Sequence, residues 1–243
     1  MKIVHCEWEI VNLDKKTIEI TIESKDKFDV NSLTDLYSGF EYVVIKVPMM
    51  MIDFNDGLSS LGFTLMENQM NVSKEIVSFD YSVIKSIYSD VDFKKENSVE
   101  VLDSVLKRLT SKMFLTDRIT LDKHFGPFVG MKRYQNWIKT EVIHRTSELN
   151  VISYKGIDVG FMLFKIENGV FKLLLNGLYE EWQGKHLGVI TPASPLIYAQ
   201  RYNHYINKIV TNISSNNIPC VKLYNRLGFT LDSQTYVFIK HIY

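Results

Sequence analysis

Residues 217–231 read Asn-Ile-Pro-Cys-Val-Lys-Leu-Tyr-Asn-Arg-Leu-Gly-Phe-Thr-Leu. Asn217 is a residue type that caps helix N-termini, and Pro219 is tolerated in a first helical turn because its missing N–H has no partner there. Gly228 is the residue type that commonly follows a helix C-terminus, since glycine adopts positive φ without strain. These residues predict a helix over residues 218–227 that is followed by a strand.

The pentapeptide Leu-Gly-Phe-Thr-Leu at residues 227–231 also occurs at residues 61–65. Taken alone, such a repeat is a common way to end a helix and start a strand. The copies differ upstream, because Tyr224 stands three positions before the later copy and Leu58 stands three positions before the earlier one. Only the later copy could take part in proton chemistry, and the earlier one could only pack.

Composition indicates a globular protein with a substantial core, because 46% of the 243 residues are apolar and 23% are charged. The 28 basic residues balance 28 acidic ones, so we expect no nucleic-acid or membrane partner. Charges among the first 20 residues argue against a signal peptide, and no later stretch is long enough to span a bilayer. Cys6 and Cys220 are predicted to be reduced, which favours a cytoplasmic protein over a disulfide-bonded one.

Periodicity predicts strand, helix, strand in the first half. Alternating isoleucines predict a two-stranded hairpin over residues 2–23, and a charged stretch at 90–100 is interpreted as a linker before a helix at 101–109. Between them we expect a strand at 42–47, a helix at 54–61 and a strand at 63–72. The predicted first unit covers residues 1–112.

The second unit, residues 113–243, is predicted to be α+β. Turn-forming Lys155-Gly156 and Asn168-Gly169 bracket antiparallel strands. Pro192 and Pro195 should delay or kink the helix that follows the loop at residues 183–188, because proline inside a helix removes a hydrogen bond. The expected elements are a helix at 132–143, strands at 158–167 and 171–178, a helix to about 205, a strand at 208–213, the helix at 218–227 and a last strand to 239.

The loop at residues 183–188 joins a predicted strand to a predicted helix. The first amides of a helix lack internal partners and can bind an anion, and Gly184 and Gly188 would let a phosphate approach the main chain. An ordinary turn is the alternative interpretation of this loop. By periodicity alone, Asn217 could be only a helix cap and Tyr224 only a core tyrosine.

Together these motifs resemble the GNAT superfamily of acetyl-CoA-dependent acyltransferases over residues 158–239. Members carry Q/R-x-x-G-x-G/A, of which Gln183 and Gly188 match the ends while His186 replaces the middle glycine. They also carry N-x-x-A-x-x-L-Y-x-x-L-G-F. This second motif is matched, with one small-residue exchange, by Asn217, Cys220, Leu223, Tyr224, Leu227, Gly228 and Phe229.

The resemblance implies a GNAT fold with a mixed, mostly antiparallel sheet, preceded by a smaller degenerate GNAT-like lobe. It implies acetyl-CoA as co-substrate and no metal, with Tyr224 protonating the leaving thiolate. A phenol at about pKa 10 lies close enough to a thiol at about 8.5 for this transfer. A backbone N–H of the strand ending at Leu178 would bind the oxyanion. The implied CoA-binding residues are Leu178, Gln183, Gly184, Lys185, His186, Leu187, Gly188, Asn217 and Tyr224.

More narrowly, the chain resembles the TDP-fucosamine acetyltransferase type, through Arg118, Asp122, Tyr134 and Trp137. This resemblance implies a nucleotide-linked amino sugar as acceptor, with substrate contacts from Arg118, Asp122, His124 and Tyr134. Another small amine (an aminoglycoside, a polyamine or an amino acid) and a non-catalytic CoA-binding module are the alternatives. Whether the chain forms a homodimer stays open. The general base is unassigned among Glu180, Glu181, His124, His144 and a water chain.

Overall fold

The computed structural model describes residues 1–95, 99–202 and 205–243. Its first half contains four strands and the helices between them, followed by short helical turns. In chain order these are β1 (Lys2–His5), α1 (Trp8–Leu13), β2 (Thr17–Thr21), α2 (Val30–Leu36), β3 (Tyr42–Pro48), α3 (Ile52–Ser60), β4 (Thr64–Glu75), 3-10 turns at Ile76–Ser78 and Tyr81–Ile84, and α4 (Lys85–Tyr88).

The described part of the second half begins with an edge strand, which is followed by helices and five more strands. Its elements are β5 (Val91–Lys95), α5 (Val99–Arg108), α6 (Arg118–Leu121), α7 (Gly126–Ile143), β6 (Glu148–Tyr154), β7 (Ile157–Glu167), β8 (Val170–Leu178), a 3-10 turn at Glu180–Trp182, α8 (Ile190–Tyr202), β9 (Lys208–Ser214), α9 (Ile218–Arg226) and β10 (Thr230–His241).

All these strands form one sheet in the order β1-β2-β3-β10-β4-β9-β8-β7-β6-β5. The pairs β2–β3 and β8–β9 are parallel, and the other pairs are antiparallel. Helices cover both faces, with α8 and α9 against one face of the second half and α5 and α7 against the other. The predicted α+β class and the mixed, mostly antiparallel sheet are confirmed.

The sequence repeat is part of a larger structural repeat. Strand β9, helix α9 and strand β10 begin and end 166 residues after β3, α3 and β4, without an insertion or a deletion. The strand pairings repeat in the same way, since Tyr42 pairs with His241 and Lys208 pairs with Glu75. Gln69 pairs with its own counterpart, Thr235, so a pseudo-twofold axis passes through this pair.

This symmetry exchanges one strand between the two units. Strand β10 follows α9 but lies beside β3 of the first unit, and β4 follows α3 but lies beside β9 of the second unit. Each unit therefore completes the sheet of the other. Residues of β4 become part of the surface next to β9, where the second unit has its candidate site.

The first unit has a closed counterpart of this region. Its parallel pair β2–β3 stays in register to Lys46, and the Ile22 N–H adds a hydrogen bond of 2.8 Å to the Lys46 carbonyl. Leu58, which is fully buried, occupies the position equivalent to Tyr224. Met51 and Phe54 replace Asn217 and Cys220. The first unit thus keeps the chain path without the polar groups.

Two predicted segments differ from the structure. β1 and β2 do pair as expected, but α1 connects them where a tight turn was predicted. The segment interpreted as a linker contains β5, which pairs with β6, while residues 96–98 lie outside the described part. β5 and α5 precede the predicted boundary at residue 112 yet pair and pack with the second unit.

Cys6 and Cys220 are both free thiols. Within the described ranges, no helix combines the length and apolar character that crossing a membrane requires.

Candidate active site

Strands β8 and β9 pair at one end and separate at the other. Their parallel register runs from Val170 and Lys208 to Leu173 and Thr211, where the Thr211 hydroxyl donates to the Leu173 carbonyl at 3.0 Å. Beyond this point β8 carries a bulge at Leu174, and no strand of the described residues lies beside one edge of its backbone. This wedge opens into a cavity of about 1270 Å³ that connects the two faces of the sheet.

Tyr224 lies at the wedge on helix α9. The Asn217 side chain caps this helix by accepting a hydrogen bond from the Cys220 N–H at 3.2 Å, as the sequence predicts. Tyr224 is only 3% exposed and lines the cavity, with its hydroxyl facing Thr211 and Asn176. Burial raises the pKa of Tyr224, and those two side chains only partly oppose this. The phenol is therefore protonated at neutral pH.

A side-chain clip joins the wedge to helix α8. Pro195 has no N–H to bond the carbonyl of Thr191 four residues earlier, and Asn176 Nδ2 donates to that carbonyl at 2.8 Å instead. The helix starts at Ile190, directly after the loop, so the prolines do not delay it. Asn176 thus compensates for the proline and is held beside the Tyr224 hydroxyl.

The loop before α8 presents unused backbone donors. The N–H groups of residues 184–189 donate to no acceptor in the described part of the chain. Gly184 has φ +72° and His186 has φ +60°, so His186 adopts the left-handed conformation that the glycine of the resembled motif would adopt easily. Gln183 Nε2 fixes the start of the loop by donating to the Leu178 carbonyl at 3.1 Å. Successive free amides of this kind form an anion-binding concavity.

The far end of the cavity is polar and is built by both units. Glu67 of β4 is 6% exposed and lies beside Ser214, the last residue of β9. Burial raises the pKa of Glu67, although Ser214 and Arg118 act in the opposite direction. The other lining residues include Trp8, Asn12, Gln69, Phe114, Asp117, Arg133, Tyr134, Asn136, Trp137 and Cys220.

Arg118 and Tyr134 of the predicted substrate-binding set do line the cavity. Burial acts to lower the pKa of Arg118. Its neighbours Tyr42, Glu19, Glu9 and Glu67 outweigh this effect and hold the pKa above its ordinary value. Arg118 therefore keeps its charge among acidic groups of the first unit. Its Nε is buried and has no hydrogen-bond partner within the described ranges.

Asp122 and His124, the other two predicted substrate contacts, lie outside the cavity. The buried Asp122 carboxylate faces His124 Nδ1 at 3.0 Å and His241 Nε2 at 2.8 Å, and the Tyr243 hydroxyl lies 2.7 Å from His124 Nε2. One ligand atom of each of Asp122, His124 and His241 lies within 4.8 Å of the others. The cluster ties the end of β10 to the segment before α7.

None of the four side chains considered as general base lines the cavity. Glu180 pairs with Lys112 at 2.7 Å, Glu181 pairs with Arg108, and His144 is exposed at the end of α7. His124 lies in the Asp122 cluster. Sequence reasoning missed Glu67, Asn176 and Thr211. Alternation along a strand does not show which strand lies beside it, so their shared location had no sequence signal.

Of the predicted CoA-binding set, Gln183, Asn217 and Tyr224 line the cavity directly. Lys185, His186 and Leu187 lie with Gly184 and Gly188 on the loop next to it, while Leu178 is buried at the end of β8. Within this set, Asn217 lies close to Ser214, because its N–H donates to the Ser214 carbonyl at 3.0 Å, while the loop residues lie next to Gln183.

Comparison with solved structures shows the fold. A functionally unknown conserved protein from Staphylococcus epidermidis matches with a TM-score of 0.61 at 14% identity, over 94% of this chain and 85% of that one. A tandem GNAT protein from the clavulanic acid biosynthesis pathway matches with a TM-score of 0.58 at 9% identity, over 93% and 75%. A GCN5-related N-acetyltransferase from Kribbella flavida has a TM-score of 0.51 at 12% identity, over 82% and 68%.

No protein-family model matches the sequence, and no curated protein matches it. At these identities the likeness establishes a GNAT fold in two lobes and says nothing further about activity.

Proposed function

We propose that the protein transfers an acetyl group from acetyl-CoA to a primary amine of a small acceptor. The observation that carries this proposal is the wedge between β8 and β9, with the free amides of residues 184–189 at one end and the Tyr224 phenol inside. A pantetheine arm can extend along the unpaired edge of β8 while the amides bind the pyrophosphate. The wedge leads from the loop to the polar far end, where an acceptor can bind.

Tyr224 is the proposed general acid. The amine attacks the thioester carbonyl, a C–N bond forms, and the C–S bond breaks to release a thiolate. The Tyr224 hydroxyl then gives its proton to the sulfur. Burial raises the pKa of the phenol, and loss of solvation also raises the pKa of a thiol bound at the same place. The unpaired N–H groups of β8 are the proposed oxyanion donors.

For the acceptor, we propose the amine of a nucleotide-linked amino sugar, as the sequence resemblance implies. The cavity is large, and Trp8 and Trp137 offer aromatic faces for a base while Asn12 and Asn136 offer hydrogen bonds to a sugar. The other small amines named above are competing acceptors. The neutral overall charge gives no preference for strongly cationic ones.

A direct test combines binding with transfer. Titration calorimetry measures acetyl-CoA affinity, and transfer of labelled acetyl is assayed with TDP- and UDP-linked amino sugars, glucosamine, kanamycin, spermidine and lysine. We expect acetyl-CoA binding and transfer to at least one nucleotide-linked sugar. Binding without transfer to any amine would favour a non-catalytic CoA-binding module, and transfer only to other amines would refute the amino-sugar assignment.

A loop variant tests where the donor binds. Gly188→Glu should weaken acetyl-CoA binding at least tenfold, because it adds a negative charge beside the amides that would bind the pyrophosphate. Val77→Glu, which adds the same charge at a 95% exposed position outside the cavity, is the control and should bind normally. Equal affinity of both variants would reject the proposed anion cradle.

A further inference from the structure

Glu67 is the polar group at the far end of the cavity that comes from the first unit. It lies on β4, the strand that the pseudo-twofold exchange places beside β9. The counterpart of Glu67 across the axis is Ser233, which does not line the cavity. Of the two equivalent positions, the one occupied by Glu67 therefore lines the cavity and the one occupied by Ser233 does not.

The groups that face Glu67 leave its carboxylate available. Ser214 lies beside it, Arg118 and Asp117 approach from the segment at the start of α6, and Lys46 approaches from β3. Lys46 is itself held by Glu19 at 2.7 Å, and Arg133 is held by the buried Glu9 at 2.7 Å. Arg118 acts on Glu67 electrostatically, but the described residues contain no ion pair between Glu67 and Arg118, Lys46 or Arg133.

The spacing of residues along β9 leaves room for the reacting groups between Tyr224 and Glu67. Thr211, which faces the Tyr224 hydroxyl, and Ser214, which lies beside Glu67, are separated by about 10 Å of strand. The reaction needs a hydrogen bond of about 3 Å from the proton donor to the sulfur and another of about 3 Å from the amine to its proton acceptor. Between them lie the C–S bond and a near-attack contact of about 3 Å from the amine nitrogen to the carbonyl carbon. Residues three apart on a strand project from opposite faces of the sheet, so Tyr224 and Glu67 reach the cavity from its two sides.

We propose that Glu67 is the general base of the transfer, so that the first unit completes the catalytic site of the second. This inference rests on the proposed acetyl transfer. The acceptor arrives as an ammonium ion, and Glu67 takes one proton, which passes on to solvent. The neutral nitrogen attacks, and the second proton that it loses replaces the one that Tyr224 gave to the thiolate. Burial raises the pKa of Glu67 towards the working pH, which strengthens it as a base.

The test compares Glu67→Gln with Glu75→Gln, the same change at the exposed end of the same strand. With acetyl-CoA and whichever amine of the panel is acetylated, Glu67→Gln should lower kcat about 100-fold or more. Its kcat/KM should then rise about tenfold per pH unit, because only the fraction of amine that is already neutral can react. Glu67→Asp should keep part of the wild-type rate. Glu75→Gln should behave as wild type.

Acetyl-CoA affinity, measured alongside, shows whether each variant keeps its donor site. A Glu67→Gln protein with wild-type kcat and pH profile would overturn the inference and leave the proposed function standing. A rate loss with an unchanged pH profile would also overturn it, since that is the outcome of a structural role. A wild-type protein that acetylates no amine would refute the proposed function, and this inference with it.

Discussion

Replacing Tyr224 by phenylalanine removes one oxygen from the centre of the proposed site. The two side chains that face this oxygen already have other partners, since Thr211 donates to the Leu173 carbonyl and Asn176 donates to the Thr191 carbonyl. Deleting the hydroxyl therefore leaves neither donor unpaired. The free energy of unfolding should fall by only about 0.5–1.5 kcal/mol, the net value of an ordinary hydrogen bond.

The effect on the reaction should be much larger. Without the phenol the thiolate must leave unprotonated, and loss of a positioned acid costs about 10²- to 10⁴-fold in rate. The dissociation constant of acetyl-CoA should stay within about threefold of wild type, because the phenol is not part of the pyrophosphate loop. A small loss of unfolding free energy together with a large loss of rate would distinguish a general acid from a residue that only packs.

The assay is thiol release under single-turnover conditions, with calorimetric acetyl-CoA affinity and a denaturant melt of each variant. Tyr179→Phe, a change at a buried tyrosine that does not line the cavity, is the control and should keep the wild-type rate. A Tyr224→Phe protein with undiminished turnover would refute the acid assignment. A loss of several kcal/mol of unfolding free energy would show that the Tyr224 hydroxyl contributes more than one ordinary hydrogen bond.

Three further predictions concern the loop, the clip and the buried carboxyl group. His186→Gly should bind acetyl-CoA at least as tightly as wild type, whereas His186→Val should bind it about tenfold more weakly. The reason is that the left-handed backbone conformation is least favourable for a β-branched residue. Calorimetry that ranks the two variants in reverse order would contradict this. Asn176→Leu should cost about 1–3 kcal/mol of unfolding free energy by leaving the Thr191 carbonyl unpaired. Adding Pro195→Ala should restore much of this free energy by supplying a helical N–H. Additive effects of the two changes in denaturant melts would argue against the clip. Glu67→Gln should raise the melting temperature relative to wild type at pH 8 but not at pH 4. The pKa of Glu67 is raised in the folded protein, so protonated Glu67 stabilises the fold at low pH and this stabilisation is lost as the pH rises through that pKa. An equal shift in melting temperature at both pH values would contradict the burial of this group.

Local sequence signals predicted the second unit well. The helix after Asn217 is where the cap and Gly228 place it, and Gly228 has φ +73°. The turns at Lys155-Gly156 and Asn168-Gly169 connect β6 to β7 and β7 to β8 as expected. These features depend on a few neighbouring residues, and such signals can be read without knowing the tertiary contacts.

Edge elements were harder to predict for a physical reason. β5 carries Asp92, Lys94 and Lys95, and charged residues are typical both of linkers and of edge strands that avoid further pairing. α1 has only six residues, too few for its periodicity to stand out from a turn. Both elements are specified by the sheet and helices that they pack against.

The strand exchange and the proposed role of Glu67 could not be predicted from one sequence. The repeat showed that the two units are alike, but pairing of β10 with β3 and of β4 with β9 spans more than a hundred residues. A glutamate in a strand that alternates is ordinarily a solvated side chain. Only the location of β4 beside the wedge makes Glu67 a candidate for catalysis.

Hydrogen exchange with acetyl-CoA tests the donor site most directly. The N–H groups of residues 184–189 have no acceptor in the described chain, and one edge of β8 beyond Leu173 is unpaired, so amides in both segments should exchange quickly in the free protein. Saturating acetyl-CoA should slow exchange in both segments and leave β2 and β3 of the closed first unit unchanged. Unaltered exchange at the loop and at β8 in the presence of bound acetyl-CoA would show that the donor binds elsewhere.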